Sequence, residues 1–140
     1  MNTVLTLGTF DLFHRGHVEF LRHCRSQIPR LVVGLNTDRF AATYKRPPII
    51  AYADREAVLR ACRYVDDVVP NDQPDGTALD VVERIRPRIM AVTMDFHPST
   101  GRDWFVQVGI AQDWFDDQGI EIAWIPYTQG ISTSAIVAAL

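Results

Sequence analysis

The chain has 140 residues, of which 47% are apolar and 22% are charged, and its formal net charge at pH 7 is −3. This size and composition are typical of one globular domain spanning residues 1–140, and they exclude a disordered or collagen-like chain. The slight negative charge disfavours general binding to nucleic acid. No apolar run reaches the roughly 20 residues that span a bilayer, and the N-terminus lacks the pattern of a secretion signal. We therefore expect a cytoplasmic protein without membrane contact.

The first part of the chain predicts a strand, a helix and a second strand. Residues 3–7 alternate between polar and apolar types and residues 31–35 form an apolar run, so both segments favour strands. The helix between them ends before Pro29, because proline disfavours helical geometry in the residue that precedes it. The apolar positions of this helix are Val18, Leu21, Cys24 and Ile28.

Two more helices and a short strand follow. The second helix is predicted to begin at Asp54, a residue type that caps helix N-termini, and residues 67–70 favour a strand. The third helix is predicted to begin at Thr77 and to stop before Pro87. The apolar faces consist of Val58, Cys62 and Val65 in the second helix, and of Ala78, Val82 and Ile85 in the third.

The last part of the chain predicts strands at residues 89–93 and 120–125 and a final helix that begins near Ser132. A long amphipathic helix between these strands is predicted to end near Gly119. Its apolar stripe, which is more typical of a core or dimer contact than of a ligand site, comprises Trp104, Val108, Ala111 and Phe115. Alternating strands and helices predict an α/β fold, a Rossmann-like doubly wound parallel sheet with ligands beyond the carboxyl ends of its strands.

The cysteines and the isolated histidines lack the spacing of a metal site. Cys24 and Cys62 occupy apolar positions of predicted helices, so we expect reduced core thiols. His23 and His97 have no ligand-type spacing to the other histidines. The sequence therefore disfavours a structural zinc site.

The stretch GTFDLFHRGH, residues 8–17, joins the first predicted strand to the first predicted helix. His14 and His17 flank Gly16, and glycine allows a ligand to approach the backbone closely. The free N–H groups of a helix N-terminus also attract anions. Either histidine could instead satisfy a buried carbonyl group, and Asp11 could be a simple turn residue. The combination favours a phosphate site.

A second hydroxyl-rich stretch, GISTS at residues 130–134, follows the last predicted strand. Ser132 or Thr133 could be an ordinary helix cap. Because parallel strands end at one edge of the sheet, the same hydroxyls could also bind phosphate beside the first motif.

Basic residues cluster between these two stretches. Lys45 is the only lysine of the chain, in the polar segment before the second predicted helix. Arg55 and Arg63 are eight residues apart, so they would point to nearly the same side of one helix. A solvated face is the usual reason for such a pair, and an anion clamp is the functional alternative.

Residues 8–17, RYVDDV at residues 63–68 and GISTS at residues 130–134 together resemble the small cytidylyltransferases, in order and across almost the whole chain. The HxGH pair alone is shared with adenylyltransferases and, in variant form, with class I aminoacyl-tRNA synthetases. The resemblance implies that a phosphate or phosphonate oxygen attacks the α-phosphorus of CTP and releases pyrophosphate without a covalent enzyme intermediate. The implied acceptor is a small phosphorylated alcohol similar to glycerol 3-phosphate, or a hydroxyalkyl phosphonate.

The resemblance also implies roles by position. His14 and His17 would donate hydrogen bonds to the α-phosphate in the transition state, assisted by Lys45 and Arg63, and Asp11 would orient a nearby group or a metal-bound water. Mg²⁺ would be bound by the triphosphate and not by side chains, and the protein would be a homodimer. The acceptor would be bound by Lys45, Arg46 and Arg55. The nucleotide would be bound by Gly8, Thr9, Phe10, Asp11, Asp38, Asp95, Thr128, Gly130, Ile131, Ser132 and Thr133.

Three features depart from the family pattern. Tyr127 and Gln129 stand where the family usually has an arginine and an acid, Thr93 and Phe96 stand where it usually has a glycine and a tryptophan, and residues 96–119 form a longer segment. These departures leave the acceptor open. They also leave two other functions open: an adenylyltransferase that makes FAD, NAD or a coenzyme A precursor, and a nucleotide-binding module that has lost catalysis.

Overall fold

The computed structural model describes residues 2–126 and 128–140, except for the side chain of Gln27. Its strands are β1 (Val4–Gly8), β2 (Leu31–Asn36), β3 (Asp67–Asn71), β4 (Ile89–Thr93) and β5 (Glu121–Ile125). Its helices are α1 (Arg15–Gln27), α2 (Asp38–Tyr44), α3 (Tyr52–Ala61), α4 (Leu79–Ile85), α5 (Trp104–Val108), α6 (Gln112–Gln118) and α7 (Thr133–Ala139). Two short 3₁₀ turns, Met94–Phe96 and Pro98–Thr100, follow β4.

The five strands form one parallel sheet in the order β3-β2-β1-β4-β5. Two hydrophobic cores pack on its opposite faces. One contains α1 and α3 side chains such as Leu21 and Leu59, and the other contains residues of α4, α5 and α6 such as Phe105 and Phe115. The Rossmann-like doubly wound fold is therefore confirmed. Among the described residues, no helix is both long and apolar enough to cross a membrane.

The sheet opens where its strand order reverses. β1 pairs with β2 along its whole length, from Val4 to Gly8, whereas its pairs with β4 stop at Leu5 and Met90. Beyond that point the Thr6 hydroxyl donates to the Ala91 carbonyl at 2.8 Å. The carboxyl ends of β1 and β4 thus separate, and such a switch point is where doubly wound sheets bind ligands.

Residues 104–119 do not form the single long helix that the apolar stripe predicts. Gly109 has a φ of 69° and ends α5, and α6 starts at Gln112. A Cβ atom at Gly109 would lie only 2.9 Å from the Gly76 carbonyl oxygen and from Thr77, so this glycine permits both the turn and a close backbone contact. Ala111 is exposed as a result. The rest of the stripe, Trp104, Val108 and Phe115, is core.

The region around α3 also differs from the prediction. α2 was not predicted, and α3 begins after Ala51 instead of at Asp54, which lies in its first turn where an acid favours the helix dipole. Because α3 ends at Ala61, Val65 lies outside it. Val58 lies within α3 but is exposed. At α4 the cap residue is Ala78, one position after Thr77, although the Thr77 hydroxyl still accepts from the Leu79 N–H at 3.3 Å. The cysteines are free thiols, Cys24 buried and Cys62 half-buried.

Candidate active site

The loop between β1 and α1 holds Asp11 in a strained backbone. Phe10 and Leu12 on either side of it both have a φ of 50°, the left-handed region that side chains disfavour. Such strain persists only where the surroundings hold the chain in place, and it is commonly found at functional sites. Phe10 is buried, and a Cβ atom at Gly8 would lie 2.8 Å from its ring, so glycine is required before it.

The buried carboxylate of Asp11 supplies much of that hold. One of its oxygens accepts from the Leu12 and Ile50 N–H groups, and the other accepts from the Ile49 N–H and the Arg46 guanidinium, at 2.8 to 3.1 Å. Burial alone would raise the pKa of Asp11, but these hydrogen bonds outweigh it and hold the pKa below its usual value. Asp11 is therefore more than a turn residue, because it fastens the segment after α2 to the end of β1.

His14 and His17 form the first turn of α1 in an unusual way. His14 caps the helix: its Nδ1 accepts from the Gly16 N–H at 3.0 Å, and its own N–H donates to Nδ1 of His17 at 3.2 Å. An imidazole nitrogen that accepts a hydrogen bond carries no proton, so in each neutral ring the proton lies on Nε2. The backbone thus fixes the same tautomer in both histidines.

Both imidazoles favour the neutral form more than a free histidine does. Their rings stack with centroids 3.9 Å apart, and the His17 ring also contacts the rings of Phe10 and Phe13. Burial, together with the nearby His14 and Lys45, lowers the pKa of His17 to about 3, although Asp11 acts in the opposite direction. Burial also lowers the pKa of His14. The pair therefore offers uncharged N–H donors and is not set up to act as a general acid.

Gly16 is required by the same arrangement. A Cβ atom at this position would lie 2.8 Å from Cε1 of His14 and 3.5 Å from a methyl group of Ile131. The His14 ring thus folds over Gly16, and the C-terminal motif closes the other side. The glycine between the two histidines serves ring packing as well as backbone access.

Thr133, the first residue of α7, links the C-terminal motif to the first one. Its hydroxyl donates to the Asp11 carbonyl at 3.1 Å and lies 3.3 Å from Nε2 of His14. Ser132 is the cap of α7, because its hydroxyl accepts from the Ala135 N–H at 3.0 Å. Gly130 has a φ of 86°, which allows the turn before the helix. Thr128 is half-buried, and Tyr127 lies outside the described residues.

Arg55 and Arg63 do not point to the same side, so the structure contradicts their prediction as a clamp. The Arg55 side chain is 1% exposed, and its guanidinium donates to the carbonyls of Ile50, Thr9 and Asn36 and to the Asp38 carboxylate. The buried Arg55 guanidinium stabilises the packing of these segments and does not reach an acceptor substrate in this conformation. Arg63 lies beyond the end of α3 at Ala61 and is exposed. Its guanidinium lies over the Tyr64 ring, beside a groove of about 400 Å³.

The other predicted charged residues differ in how firmly they are held. Arg46 donates to Asp11 at 3.0 Å and is about one-third exposed. Lys45 is exposed, and its effect on the pKa of His17 places its charge near the histidine pair. Asp38 is half-exposed and pairs with Arg55 at 2.6 Å. Asp95 lies in the turn after β4, on the far side of the switch point from Asp38.

The structure adds a polar network that the sequence analysis missed. Asn71 donates to Asn36, and Asn36 donates to the hydroxyls of Thr9 and Tyr44, all at 2.8 to 3.0 Å. Asn36 and Asn71 are both buried. Each is the last residue of its strand. A polar residue at the end of a buried strand was therefore the feature of the sequence that could have indicated this network.

Comparison with known proteins agrees with this geometry. A family model described as cytidylyltransferase-like matches residues 5–139. The chain belongs to the cytidylyltransferase-like family. This agrees with the resemblance carried by residues 8–17, 63–68 and 130–134.

Several members of the family are similar over most of this chain. The glycerol-3-phosphate cytidylyltransferase of Bacillus subtilis is 32% identical over 97% of this chain and 95% of its own length. The bifunctional protein HldE of Magnetococcus marinus is 40% identical over 96% of this chain, which spans only 26% of HldE. The FAD synthase of Pyrococcus horikoshii is 40% identical over 66% of this chain and 62% of its own length.

Among solved structures, the lipopolysaccharide core biosynthesis protein of Thermoplasma volcanium has the same fold. It superposes with a TM-score of 0.70 at 22% identity, over 91% of this chain and 97% of its own.

Proposed function

We propose that the protein transfers CMP from CTP to a small phosphate monoester or a hydroxyalkyl phosphonate and releases pyrophosphate. The observation that carries the proposal is the pair of neutral imidazoles at the end of β1, each with its proton on Nε2. Fixed donors in a partly buried site stabilise charge that develops on phosphate oxygens, which is the main demand of this reaction.

In the proposed reaction an acceptor oxygen forms a bond to the α-phosphorus of CTP. The bond from that phosphorus to the bridging oxygen of the β-phosphate breaks, and its electron pair leaves with pyrophosphate. His14 and His17 donate Nε2–H hydrogen bonds to the α-phosphate oxygens. In the free protein the His14 donor is already directed at the Thr133 hydroxyl, which in turn donates to the Asp11 carbonyl. A phosphate oxygen would replace a hydroxyl oxygen there, at little cost in reorganisation.

The remaining predicted roles follow from position. Lys45 is an exposed cation near the histidines, and we assign it to the acceptor. Arg63 is an exposed cation along the groove beside α3, and we assign it to the nucleotide. Arg46 keeps N–H groups beyond those bound to Asp11 and is assigned to the acceptor. Ser132 caps α7 and Asp38 binds Arg55, so both would act on the nucleotide through the backbone they hold.

Magnesium is proposed to enter with the triphosphate. The Asp11 carboxylate already accepts two hydrogen bonds on each oxygen, so it is not available as a metal ligand. Within residues 2–126 and 128–140, no group of three or more acidic, histidine or cysteine side chains could hold a metal ion. This donor set fits an ion carried by phosphate oxygens and water, which is the usual habit of Mg²⁺.

Pyrophosphate release tests the proposal directly. The purified chain is incubated with Mg²⁺ and either CTP or ATP, with glycerol 3-phosphate, other phosphate monoesters and 2-hydroxyethylphosphonate as acceptors. We expect release with CTP and at least one acceptor, and a CMP-linked product. No release with any combination would refute catalysis, and tight CTP binding without release would instead support a nucleotide-binding module.

The second candidate is an adenylyltransferase. It is favoured by the similarity to FAD synthase, whose product is an adenine nucleotide. Faster turnover with ATP than with CTP would establish it. We also propose a cytoplasmic homodimer, and light scattering that shows only monomer would contradict the dimer.

A further inference from the structure

The buried amides Asn71 and Asn36 set the direction of a hydrogen-bond chain that ends at the protein surface. The Nδ2 group of Asn71 donates to Oδ1 of Asn36 at 2.9 Å. This bond turns the Nδ2 group of Asn36 towards the hydroxyls of Thr9 and Tyr44, to which it donates at 3.0 and 2.8 Å. Both hydrogens of that amide are then used, and both hydroxyls are acceptors.

Among residues 2–126 and 128–140, a count of protons leaves one hydroxyl hydrogen without an acceptor, so it is open to a ligand. The Thr9 and Tyr44 oxygens are 3.2 Å apart, so one of the two hydroxyl hydrogens joins them. The other has no partner in this chain of bonds. Tyr44 is 44% exposed, and a phenol is a better hydrogen-bond donor than an alcohol because it is more acidic. This exposure and acidity favour Tyr44 as the outward donor.

The surroundings favour an anion at this donor. Lys45 follows Tyr44 directly and is exposed, and the Phe40 ring packs against Tyr44 with centroids 5.1 Å apart, which fixes the phenol. The nearest acid in sequence, Asp38, is neutralised by Arg55 at 2.6 Å. An outward O–H in the segment that also carries this lysine suits a phosphate or phosphonate oxygen.

The topology separates this anion from the outer phosphates of a nucleotide. Asn36 and Asn71 end β2 and β3, so the hydroxyl pair lies on the β2 side of β1. The GISTS motif enters from β5, on the other side of β1, where Thr133 contacts His14. A phosphate group bound by Tyr44 would therefore belong to the acceptor and not to the nucleotide.

We propose that Tyr44 is a specificity residue for the acceptor, whose hydroxyl donates to the acceptor's phosphate or phosphonate oxygen in a direction fixed by Asn36 and Asn71. Tyr44 would contact the acceptor, whereas Asn36 and Asn71 would be positioning residues. This inference rests on the proposed function and adds a residue to it.

Calorimetric titration of the full chain with glycerol 3-phosphate, 2-hydroxyethylphosphonate and CTP tests the proposal. Tyr44→Phe removes only the hydroxyl. We expect it to weaken binding of at least one of the two acceptor probes about tenfold, the loss of one charge-assisted hydrogen bond, and to leave the CTP affinity within about twofold. Tyr52→Phe, at a tyrosine of the neighbouring helix, is the matched control and should leave all affinities within about twofold.

Asn71→Leu tests the direction of the hydrogen bonds from Asn71 through Asn36 to the hydroxyls, at a residue that would not touch the ligand. Without the Asn71 donor, Asn36 is free to turn its oxygen towards the two hydroxyls, which would then point inwards. We expect Asn71→Leu alone to weaken binding of the acceptor probes about threefold and to retain CTP binding. Added to Tyr44→Phe, the same change should weaken binding of the acceptor probes by less than a further twofold. Full additivity would show that Asn71 acts only through stability.

The outcomes separate this inference from the proposed function. Unchanged probe binding in Tyr44→Phe, equal weakening of CTP, or no binding of either probe by the wild-type chain would overturn it. Tyr44-dependent binding without pyrophosphate release under any condition would instead refute the proposed function and leave the hydrogen bond in place.

Discussion

The two sides of the switch point are held together in different ways. On the β1 side, hydrogen bonds join segments far apart in the chain: Asp11 to Ile49, Arg55 to Thr9, and Thr133 to Asp11. On the β4 side, the bonds of residues 94–102 are local, such as those of Thr100 to the carbonyls of Asp95 and His97. Met94 is exposed there, and the Thr93 hydroxyl is buried without a partner among the described residues.

This contrast separates preorganised groups from adaptable ones. Long-range hydrogen bonds hold the loop before α1, and local hydrogen bonds in the first turn of α1 orient the two histidines. The donors are thus fixed before a substrate arrives, which is the condition for electrostatic stabilisation of a transition state. A segment whose hydrogen bonds are local opens at lower cost than one bonded at long range, although the His97 ring also contacts Trp124. The β1 side is therefore the preorganised side of the proposed site, and the β4 side, which includes Asp95, is the more adaptable one.

The largest expected effect is the loss of Arg55, which joins four segments on the β1 side. Arg55→Met keeps the apolar stem but leaves three carbonyls and Asp38 without their donor. We expect the free energy of unfolding to fall by about 3 kcal/mol, measured as a lower urea midpoint at constant m-value. Arg63→Met, at an exposed arginine, should change it by less than about 0.5 kcal/mol. Equal losses in the two variants would contradict the contrast between the two arginines.

The second expected effect is on catalysis. His17→Ala should lower turnover about 100-fold or more, because it removes one preorganised donor, while far-ultraviolet circular dichroism shows the fold intact. Initial rates with CTP and the preferred acceptor measure it. His23→Ala, on the same helix, is the control and should keep the rate within about twofold. A nearly unchanged rate in His17→Ala would remove His17 from the mechanism.

The third prediction concerns pH. Burial lowers the pKa of His17 to about 3 in the folded protein from the ordinary value of 6.5, which applies in the unfolded chain. Between these values only the unfolded chain binds the proton, so stability falls as the pH is lowered from 6.5 towards 3. In His17→Gln the slope of the unfolding free energy against pH should be smaller by roughly 1 kcal/mol per pH unit. Urea unfolding at several pH values measures both slopes, and equal slopes would show that His17 titrates normally.

The strands and α1 could be predicted because their apolar patterns are strong and deeply buried. α2 has one buried residue, Ala41, so it leaves no apolar periodicity to detect. The break at Gly109 could not be predicted either, since a lone glycine does not reveal a positive φ, and here the reason is a contact with Gly76 and Thr77. In general, the burial of strands and of α1 could be predicted, whereas the exposure of Val58 and Ala111 and the contacts made at long range could not.

The same distinction applies to the site. The sequence located the histidines and the hydroxyl motif because they follow predicted strands. It could not give the roles of Asp11 and Arg55, because most of their partners are distant in the chain, up to 46 residues away for Arg55 and up to 39 for Asp11. A buried arginine and an exposed one look alike in a sequence.

The smallest expected effect tests the β4 side. Thr93→Val replaces a buried, unpaired hydroxyl by a methyl group of the same shape, so we expect a gain of about 1 kcal/mol in the free energy of unfolding. Thr100→Val, which removes a hydroxyl that is bonded to two carbonyls, should lose about as much. If the nucleotide supplies the missing partner, Thr93→Val will also raise the KM for CTP while Thr100→Val does not. A loss of stability in both variants would mean that the Thr93 hydroxyl is already satisfied in the free protein, and the β4 side would then be as preorganised as the β1 side.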